Sequence, residues 1–406
     1  MNPPSDKRAP KRLEIGVLYG FRALMVLFVV NYHFWQQSWL AQHLNWFGRV
    51  VSFDYWTRSS YLFVDGMILL SGFLLYLPFA RQKVEHTPVP RTADFYARRL
   101  ARILPSYLAA VLLALFFIAI PQKLYPSDAR MAQDVAAHLT FTYLFWPSTY
   151  ITTPLNVALW TICVEMQFYL IFPLLARSMR RQPALTLSLM AVAGWGYRLC
   201  VSRFAQDTAM LINQMPAFLD VYALGFLGAM VYVRLRLWLQ KHSRKVNLLV
   251  GLLCIAVFVF GVHVVSEILR TQSRASANGH AALRLSQMAM RLPISLTLML
   301  MMLAASFWPR VAQKLLDNRL MRFLSTISMN LYIWHQILAV EMRKAWFVNT
   351  DLLHTDKNLQ MAYSLLSLSV AILAAMIMTF GVEQPAGKWL MNLWKKLRRK
   401  RKAVSA

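Results

Sequence analysis

The sequence predicts an all-α fold: a polytopic transmembrane helical bundle of about ten spans, with one additional short re-entrant or interfacial helix. Three observations predict it. Hydrophobic residues make up 58% of the 406 residues and charged residues only 15%, whereas a soluble domain is about 45–50% apolar and ~25% charged. The apolar residues come in runs long enough to cross a hydrocarbon core of ~30 Å, which takes about 20 residues per helix. Of the 44 Lys and Arg residues, 30 fall in alternate connections between those runs, as in a chain that keeps its basic loops cytoplasmic. The composition excludes an ordinary soluble enzyme. It also excludes a disordered chain, which lacks the apolar mass.

The predicted spans are 15–36, 60–80, 103–121, 161–176, 184–202, 215–233, 246–266, 292–308, 323–342 and 360–382. The first is not a cleavable signal, because Arg22 and His33 interrupt its apolar run and no small-residue cleavage site follows. The apolar stretch at about 135–146 is too short to cross and is read as the re-entrant or interfacial helix. An even number of spans places both ends on one side. The inner segments are then 1–16, 81–102, 177–183, 234–245, 309–322 and 388–402. They hold the 30 basic residues; the outer side, with Arg198 near the end of its span counted in, holds 13, and Arg22 is the last. Both termini are therefore expected in the cytoplasm.

Three regions follow: a cytoplasmic N-terminal segment (1–14), a transmembrane domain (15–388) and a basic cytoplasmic tail (389–406). The run KKLRRKRK at 395–402 is read as topogenic, with attraction for anionic lipid. Nucleic-acid binding would need a folded basic face and is not expected. Cys163, Cys200 and Cys254 show neither metal nor disulfide spacing, so no metal is expected. The outer loop 37–60 holds Trp39, Trp46, Phe47, Tyr55 and Trp56. These suit an interfacial belt, or stacking on sugar rings.

An ionisable residue inside a span costs about 2.5–3.5 kcal/mol on insertion scales and so marks a functional candidate. Arg22 and His33 lie eleven residues apart in the first span. That is about 20° past three full turns and about 16 Å along one face. Counted from the span ends, His33, Asp65 and Glu165 each sit a few residues below the outer surface. His335 climbs to a similar level from inside. Four helices are thus expected to bring these residues into one slab in the outer half. On the inner side, Arg98, Arg99 and Arg102 lie at the mouth of the third span. Arg99 and Arg102, three residues apart, share a helix face. Paired guanidiniums suit a phosphate.

In order along the chain, these stretches resemble the bacterial integral-membrane acyltransferase-3 family. Its Arg-x10-His is matched by Arg22 and His33. Its G-V-D-x-F-F-x-x-S-G-F-L stretch is matched by Asp65, Ser71, Gly72 and Phe73. R-R-L-x-R-x-x-P is matched by Arg98, Arg99, Leu100, Arg102 and Pro105. W-S-L-x-x-E-x-Q-F-Y-x-x-x-P is matched by Trp160, Glu165, Gln167, Phe168, Tyr169 and Pro173. S-x-x-L-Y-x-x-H is matched by Ser328, Leu331, Tyr332 and His335, and a closing E-x-P by Glu383 and Pro385. The match runs from about 15 to 388. It departs at Thr161–Ile162, where Ser-Leu is usual, and at Gly66–Met67, where aromatic or apolar residues are usual.

The resemblance implies an O-acyltransferase of the bacterial inner membrane. It implies cytosolic acyl-CoA as donor, usually acetyl-CoA, and a hydroxyl acceptor that is extracytoplasmic or membrane-borne, with a cell-envelope glycan first. On that reading Arg22, Arg98, Arg99 and Arg102 hold the acyl-CoA. His33 is the general base, and Asp65 or Glu165 orients its imidazole. Ser71, Tyr169 and Tyr332 are candidate oxyanion donors, and His335 joins them at the substrate end. Cys163 is a packing residue. A proton-coupled transporter or flippase of a glycan or lipid intermediate is the alternative, because such proteins also keep His, Arg and Asp/Glu in spans. The expected lack of inverted repeats speaks against it. A non-catalytic scaffold leaves the Arg22–His33 stripe unexplained.

Overall fold

Lipid offers no hydrogen-bond partner, so apolar runs of this length close their backbone bonds within helices. The computed structural model describes residues 13–347 and 350–404 and follows that rule. In chain order the elements are α1 (Val17–Ser38), strands β1 (His43–Trp46) and β2 (Arg49–Ser52), α2 (Asp54–Ser59), α3 (Phe63–Glu85), α4 (Thr92–Ala114), α5 (Asp128–Leu139), α6 (Pro147–Tyr150), α7 (Trp160–Arg181) and α8 (Pro183–Phe204). They continue with α9 (Leu219–Gln240), α10 (Arg244–Ser276), α11 (Gly279–Ser306), α12 (Arg310–Gln313), α13 (Arg319–Trp346), α14 (Thr350–Thr355), α15 (Lys357–Met376) and α16 (Gln384–Val404). Among the described residues, nine helical stretches are long and apolar enough to cross a membrane: those holding α1, α3, α4, α7, α8, α9, α10, α11 and α15. The chain is an all-α polytopic bundle.

The helix α13, predicted as the span 323–342, is 28 residues long but is not one of the nine. Its apolarity is diluted by Ser325, Ser328, Asn330 and His335, all buried against other helices. It runs parallel to α1 along that helix's whole length. Leu316 and Asp317, just before it, meet Gly20 and Gly16 at one end. His335 lies beside His33 further up, and Arg343 Nη1 donates to Gln37 Oε1 (3.2 Å) near the other end. Where α1 crosses, α13 crosses with it.

Close approach of the helices is set by small residues, as in bundles that lack a hydrophobic force between spans. The helices α3 and α9 cross at Gly72 and Gly225. A Cβ on Gly225 would lie 2.5 Å from the Leu69 carbonyl oxygen, so only glycine fits. The Ser71–Gly72–Phe73 stretch is thus, in part, a packing device.

Some boundaries differ from the sequence reading. The third predicted span began at 103, whereas α4 begins at Thr92, so Arg98, Arg99 and Arg102 lie on the helix itself. The stretch 135–146, read as one short non-spanning helix, is the end of α5, which is 12 residues long and capped by the Ser127 side chain, followed by a turn and the 3-10 segment Tyr143–Phe145. It is held by buried Asp134, which accepts from the Tyr125 (2.8 Å) and Thr153 (2.7 Å) hydroxyls and lies 3.1 Å from His138 Nδ1. The loop 37–60, predicted as outer, contains the antiparallel pair β1–β2, an addition to the all-α expectation. A π-helical stretch, Ile377–Glu383, joins α15 to α16. The predicted border at 388–389 therefore falls inside one continuous helical segment. Of the predicted N-terminal segment 1–14, residues 1–12 lie outside the described residues, as do the last two of the tail. Two basic residues counted as outer, Arg198 and Arg291, are buried in the bundle. Arg198 makes a two-pronged bond to Asp220 (2.7 and 2.6 Å), which links α8 to α9.

Candidate active site

Three arginines converge at one end of the bundle. Half-buried Arg22 of α1 lies within electrostatic reach of Arg99 and Arg102 of α4 and of Glu165 and Tyr169 of α7. Arg99 sits over the rings of Phe95 and Tyr169, 5.7 and 5.4 Å from their centroids. Ring faces hold a guanidinium without neutralising it. Glu383, in the π-helical stretch, is within reach of Arg22 and Arg102. Both carboxylates take neutral partners: Glu165 accepts from the Tyr169 hydroxyl (2.8 Å) and Glu383 from the Asn330 amide (2.8 Å). Among the described residues, no carboxylate lies within 4 Å of Arg22, Arg99 or Arg102. Glu165 and Glu383 offset part of the mutual repulsion of the three cations, and an anion seated between them would offset more. Arg98 is exposed on the neighbouring face of α4, toward Asp94.

From there a polar track follows α13. Asn330 bonds Glu383 and Thr379 (2.9 Å). Buried Tyr332 neighbours Thr161 and Glu165. His335 comes next. Its ring centroid is 5.0 Å from that of His33 across the α1–α13 contact. Glu165 thus lies between the arginines and the histidines and not beside His33, where the depth count placed it.

The two histidines present similar atoms. His335 Nδ1 donates to the Tyr332 carbonyl (2.6 Å), so its Nε2 holds the lone pair; that atom is buried and unpartnered. His33 Nδ1 lies 2.8 Å from Gln36 Oε1, which only accepts, so His33 Nδ1 carries the hydrogen and Nε2 the lone pair. The Gln36 amide then donates to the Tyr32 hydroxyl (2.8 Å). Gln36 therefore occupies the orienting position for which Asp65 or Glu165 was expected. It lies three residues after His33 on the same helix, a spacing visible in the sequence, but a neutral amide does not stand out in a search for charges. Glu383 was likewise visible only as part of the closing Glu-x-Pro.

Asp65 lies elsewhere. It is 3% exposed and pairs with Arg291 of α11, whose Nε lies 3.2 Å from Oδ1. Arg291 also donates to the Ile212 carbonyl (2.9 Å) and packs over the Phe218 ring at 3.9 Å. These contacts, with Arg198–Asp220 nearby, make a buried ionic hub joining α3, α8, α9 and α11. Depth alone could not reveal it, because Arg291 comes 226 residues later. Ser71 is half-buried on α3, with no hydrogen-bond partner among the described residues. The Tyr169 hydroxyl is committed to Glu165. The Cys163 thiol donates to the Phe141 carbonyl (2.9 Å), as a packing residue does. No group of three or more His, Cys, Asp or Glu side chains among the described residues is placed to hold a metal.

The model of an acyltransferase family, described as "Acyltransferase domain", matches residues 17–382, nearly the whole chain. The chain belongs to the acyltransferase-3 family. Among curated proteins, the O-acetyltransferase OatA of Staphylococcus aureus strains NCTC 8325 / PS 47, COL and MRSA252 is 24% identical to this member over 249 residues. That match covers 56% of this chain and 37% of the relative, so the chain spans little more than a third of the curated proteins' length. No solved structure matches this member of the family.

Proposed function

We propose that this chain is an O-acyltransferase that moves an acyl group, acetyl first, from acyl-CoA bound at the arginine end to an acceptor hydroxyl at the histidine end. The observation that carries the reading is the track itself. It joins three arginines with no carboxylate in direct contact to two imidazoles with free Nε2 lone pairs, along one bundle axis. Eleven residues of α1 separate its ends, about 16 Å at 1.5 Å per residue. A pantetheine arm is of that order, so the nucleotide phosphates sit among Arg22, Arg99 and Arg102, with Arg98 beside them, while the thioester reaches His33. Family membership favours group transfer over the transporter or flippase.

In the proposed step, His33 Nε2 takes the proton of the acceptor hydroxyl as its oxygen attacks the thioester carbonyl. Of the candidate donors, Tyr332 has its ring 5.5 Å from that of His335 and can face the developing oxyanion; Tyr169 and Ser71 remain as further candidates. The C–S bond breaks, an ester forms, and the imidazolium returns its proton to the leaving thiolate. Gln36 keeps His33 in the working tautomer, and Asp65 supports the site through the ionic hub. A glycan of the cell envelope fits an acceptor that enters beneath the outer aromatics, among them Trp35 and Trp39, whose centroids are 5.0 Å apart. The relatives' name, O-acetyltransferase, supports acetyl as the group.

Three expected outcomes test this reading. Arg99→Ala and Arg102→Ala should each weaken acyl-CoA binding about 10-fold or more, a lost charge-assisted phosphate bond. Lys at either position should restore only part, because a point charge replaces a planar fork. Equilibrium binding of acetyl-CoA to the detergent-solubilised protein measures this, and unchanged affinity in both alanine variants returns these residues to a topogenic role. Gln36→Leu should lower kcat about 10-fold with little change in the KM for acyl-CoA, since it frees the His33 ring without touching the nucleotide end. A wild-type kcat in that variant would leave Gln36 with packing alone.

The third outcome concerns sidedness. The arginine end should face the cytoplasm and both termini should lie there, in a bacterial inner membrane. In a background lacking Cys163, Cys200 and Cys254, Leu40→Cys should react with an impermeant thiol reagent in intact cells. Gln240→Cys should react only after permeabilisation. Labelling of both from outside would break the two-sided scheme.

A further inference from the structure

The helix α16 divides into three faces. Its first face docks: Trp394 Nε1 donates to Asp94 Oδ1 (2.9 Å), and Arg398 Nη1 bonds both Asp94 oxygens (3.2 and 3.0 Å). Near its start, Gly387 lies so close to α4 that a Cβ there would be 2.8 Å from the Ala101 carbonyl oxygen. A second face is apolar and open: Trp389 is 64% exposed, Leu393 41% and Leu397 49%. Spaced by four, these three fall within about 80° of one another on the helix. The third face is basic. Lys388, Lys395 and Arg399 share a stripe within about 40°; Lys396 lies between this stripe and the apolar one, and Lys400 falls within the apolar sector near the helix end, all exposed. No acidic residue occurs from Gln384 to Val404.

We propose that α16 is a membrane-surface helix that turns its apolar stripe to the interface and its basic stripe to anionic lipid headgroups. Three features select that occupant. An uncovered apolar stripe beside a Lys/Arg-rich face, with Trp on the apolar side, is the pattern of helices lying at the interface. A face with positive charge only is complementary to phosphatidylglycerol-type headgroups and not to a second copy of itself, which would bring like charges together. Just before it in the chain, α15 and the π-helical stretch also leave Leu373, Ile377 and Phe380 uncovered. The Asp94 contact meanwhile fixes which side of α16 faces the protein, and so turns the other two faces outward. This surface stands whatever reaction the bundle performs.

The test uses the full chain without native cysteines, carrying Leu393→Cys or Lys395→Cys labelled with an environment-sensitive fluorophore. It is reconstituted in nanodiscs of phosphatidylcholine alone or with phosphatidylglycerol, each with a spin-labelled lipid as quencher. The Leu393 probe should be blue-shifted and quenched from the shallow acyl region, and the Lys395 probe quenched only from the headgroup. Both effects should be larger in the anionic discs. The gain from phosphatidylglycerol should be lost at about 0.5 M salt, where the Debye length shrinks to a few ångströms. It should also be lost in Lys395→Gln/Lys396→Gln/Arg399→Gln, in which the Leu393 probe and the docking face are retained. A water-like, unquenched Leu393 probe in both lipids overturns the proposal. So does quenching indifferent to phosphatidylglycerol and to the triple variant, which would make the seat purely apolar. Burial of the probe that grows with protein-to-lipid ratio would assign the face to a second copy and likewise overturn it.

Discussion

His33→Ala is expected to lower acyl transfer by ~10²-fold or more, the scale of losing a positioned base. The loss should fall on kcat, because Arg22, at the proposed donor end, lies about 16 Å away along α1. The variant should still insert and still bind acyl-CoA. His33→Gln keeps most of the side-chain volume without a basic nitrogen and should be as inactive, which separates chemistry from packing. His335→Ala distinguishes the roles of the two imidazoles. A loss equal to that of His33→Ala means that both Nε2 lone pairs serve the reaction, and a small loss leaves His335 as a wall. CoA release by purified protein, read beside acyl-CoA binding, decides among these. Substantial transfer by a well-folded His33→Ala would remove that residue from the mechanism.

The second large effect is on folding. Asp65→Ala leaves the guanidinium of Arg291, which is 0% exposed, without its carboxylate. Breaking a buried pair from one side typically costs about 3–5 kcal/mol. Little folded protein is therefore expected, with a clear fall in thermal midpoint in detergent. Replacing both partners with apolar residues, Asp65→Leu with Arg291→Met, should recover most of the loss, since no charge is then stranded. This pair of variants also decides what Asp65 does. A folded double variant that transfers acyl groups assigns Asp65 to architecture. A folded double variant that does not would give Asp65 a part in the chemistry after all.

The bundle was legible because lipid leaves an apolar run few choices: it becomes a helix, and its length is set by the membrane. Helix ends were less so. The segment from Thr92 to Arg102 is too polar to read as a span, yet it continues α4 because Phe95 packs on Phe172 (4.9 Å) and Tyr96 bonds the Leu170 carbonyl (3.0 Å). The strands β1 and β2, four residues each and largely exposed, carry no strong alternation to announce them. For the site, sequence supplied depth but neither rotation about the helix axis nor the order of neighbours. His33 and His335, expected at one level, do meet. Asp65 was expected at that level too, but its side chain serves α11. Gln36 passed unnoticed because insertion cost, the signal used to find candidates, is small for an amide beside that of a charge.

A helix as polar as α13 gains little from entering lipid by itself. Its Ser325, Ser328, Asn330 and His335 are at ease only when α1 lies along one side and α15 along the other. During synthesis α1 is made first and α15 only after α13 has emerged. The first span must therefore stay reachable while most of the chain is produced, and α13 must linger at the insertion machinery until its successor arrives. Insertion of α13 is then coupled to its neighbours in place of span-by-span partitioning: a chain cut between α13 and α15 should hold α13 poorly in the membrane, whereas α15 is apolar enough to cross without such a partner.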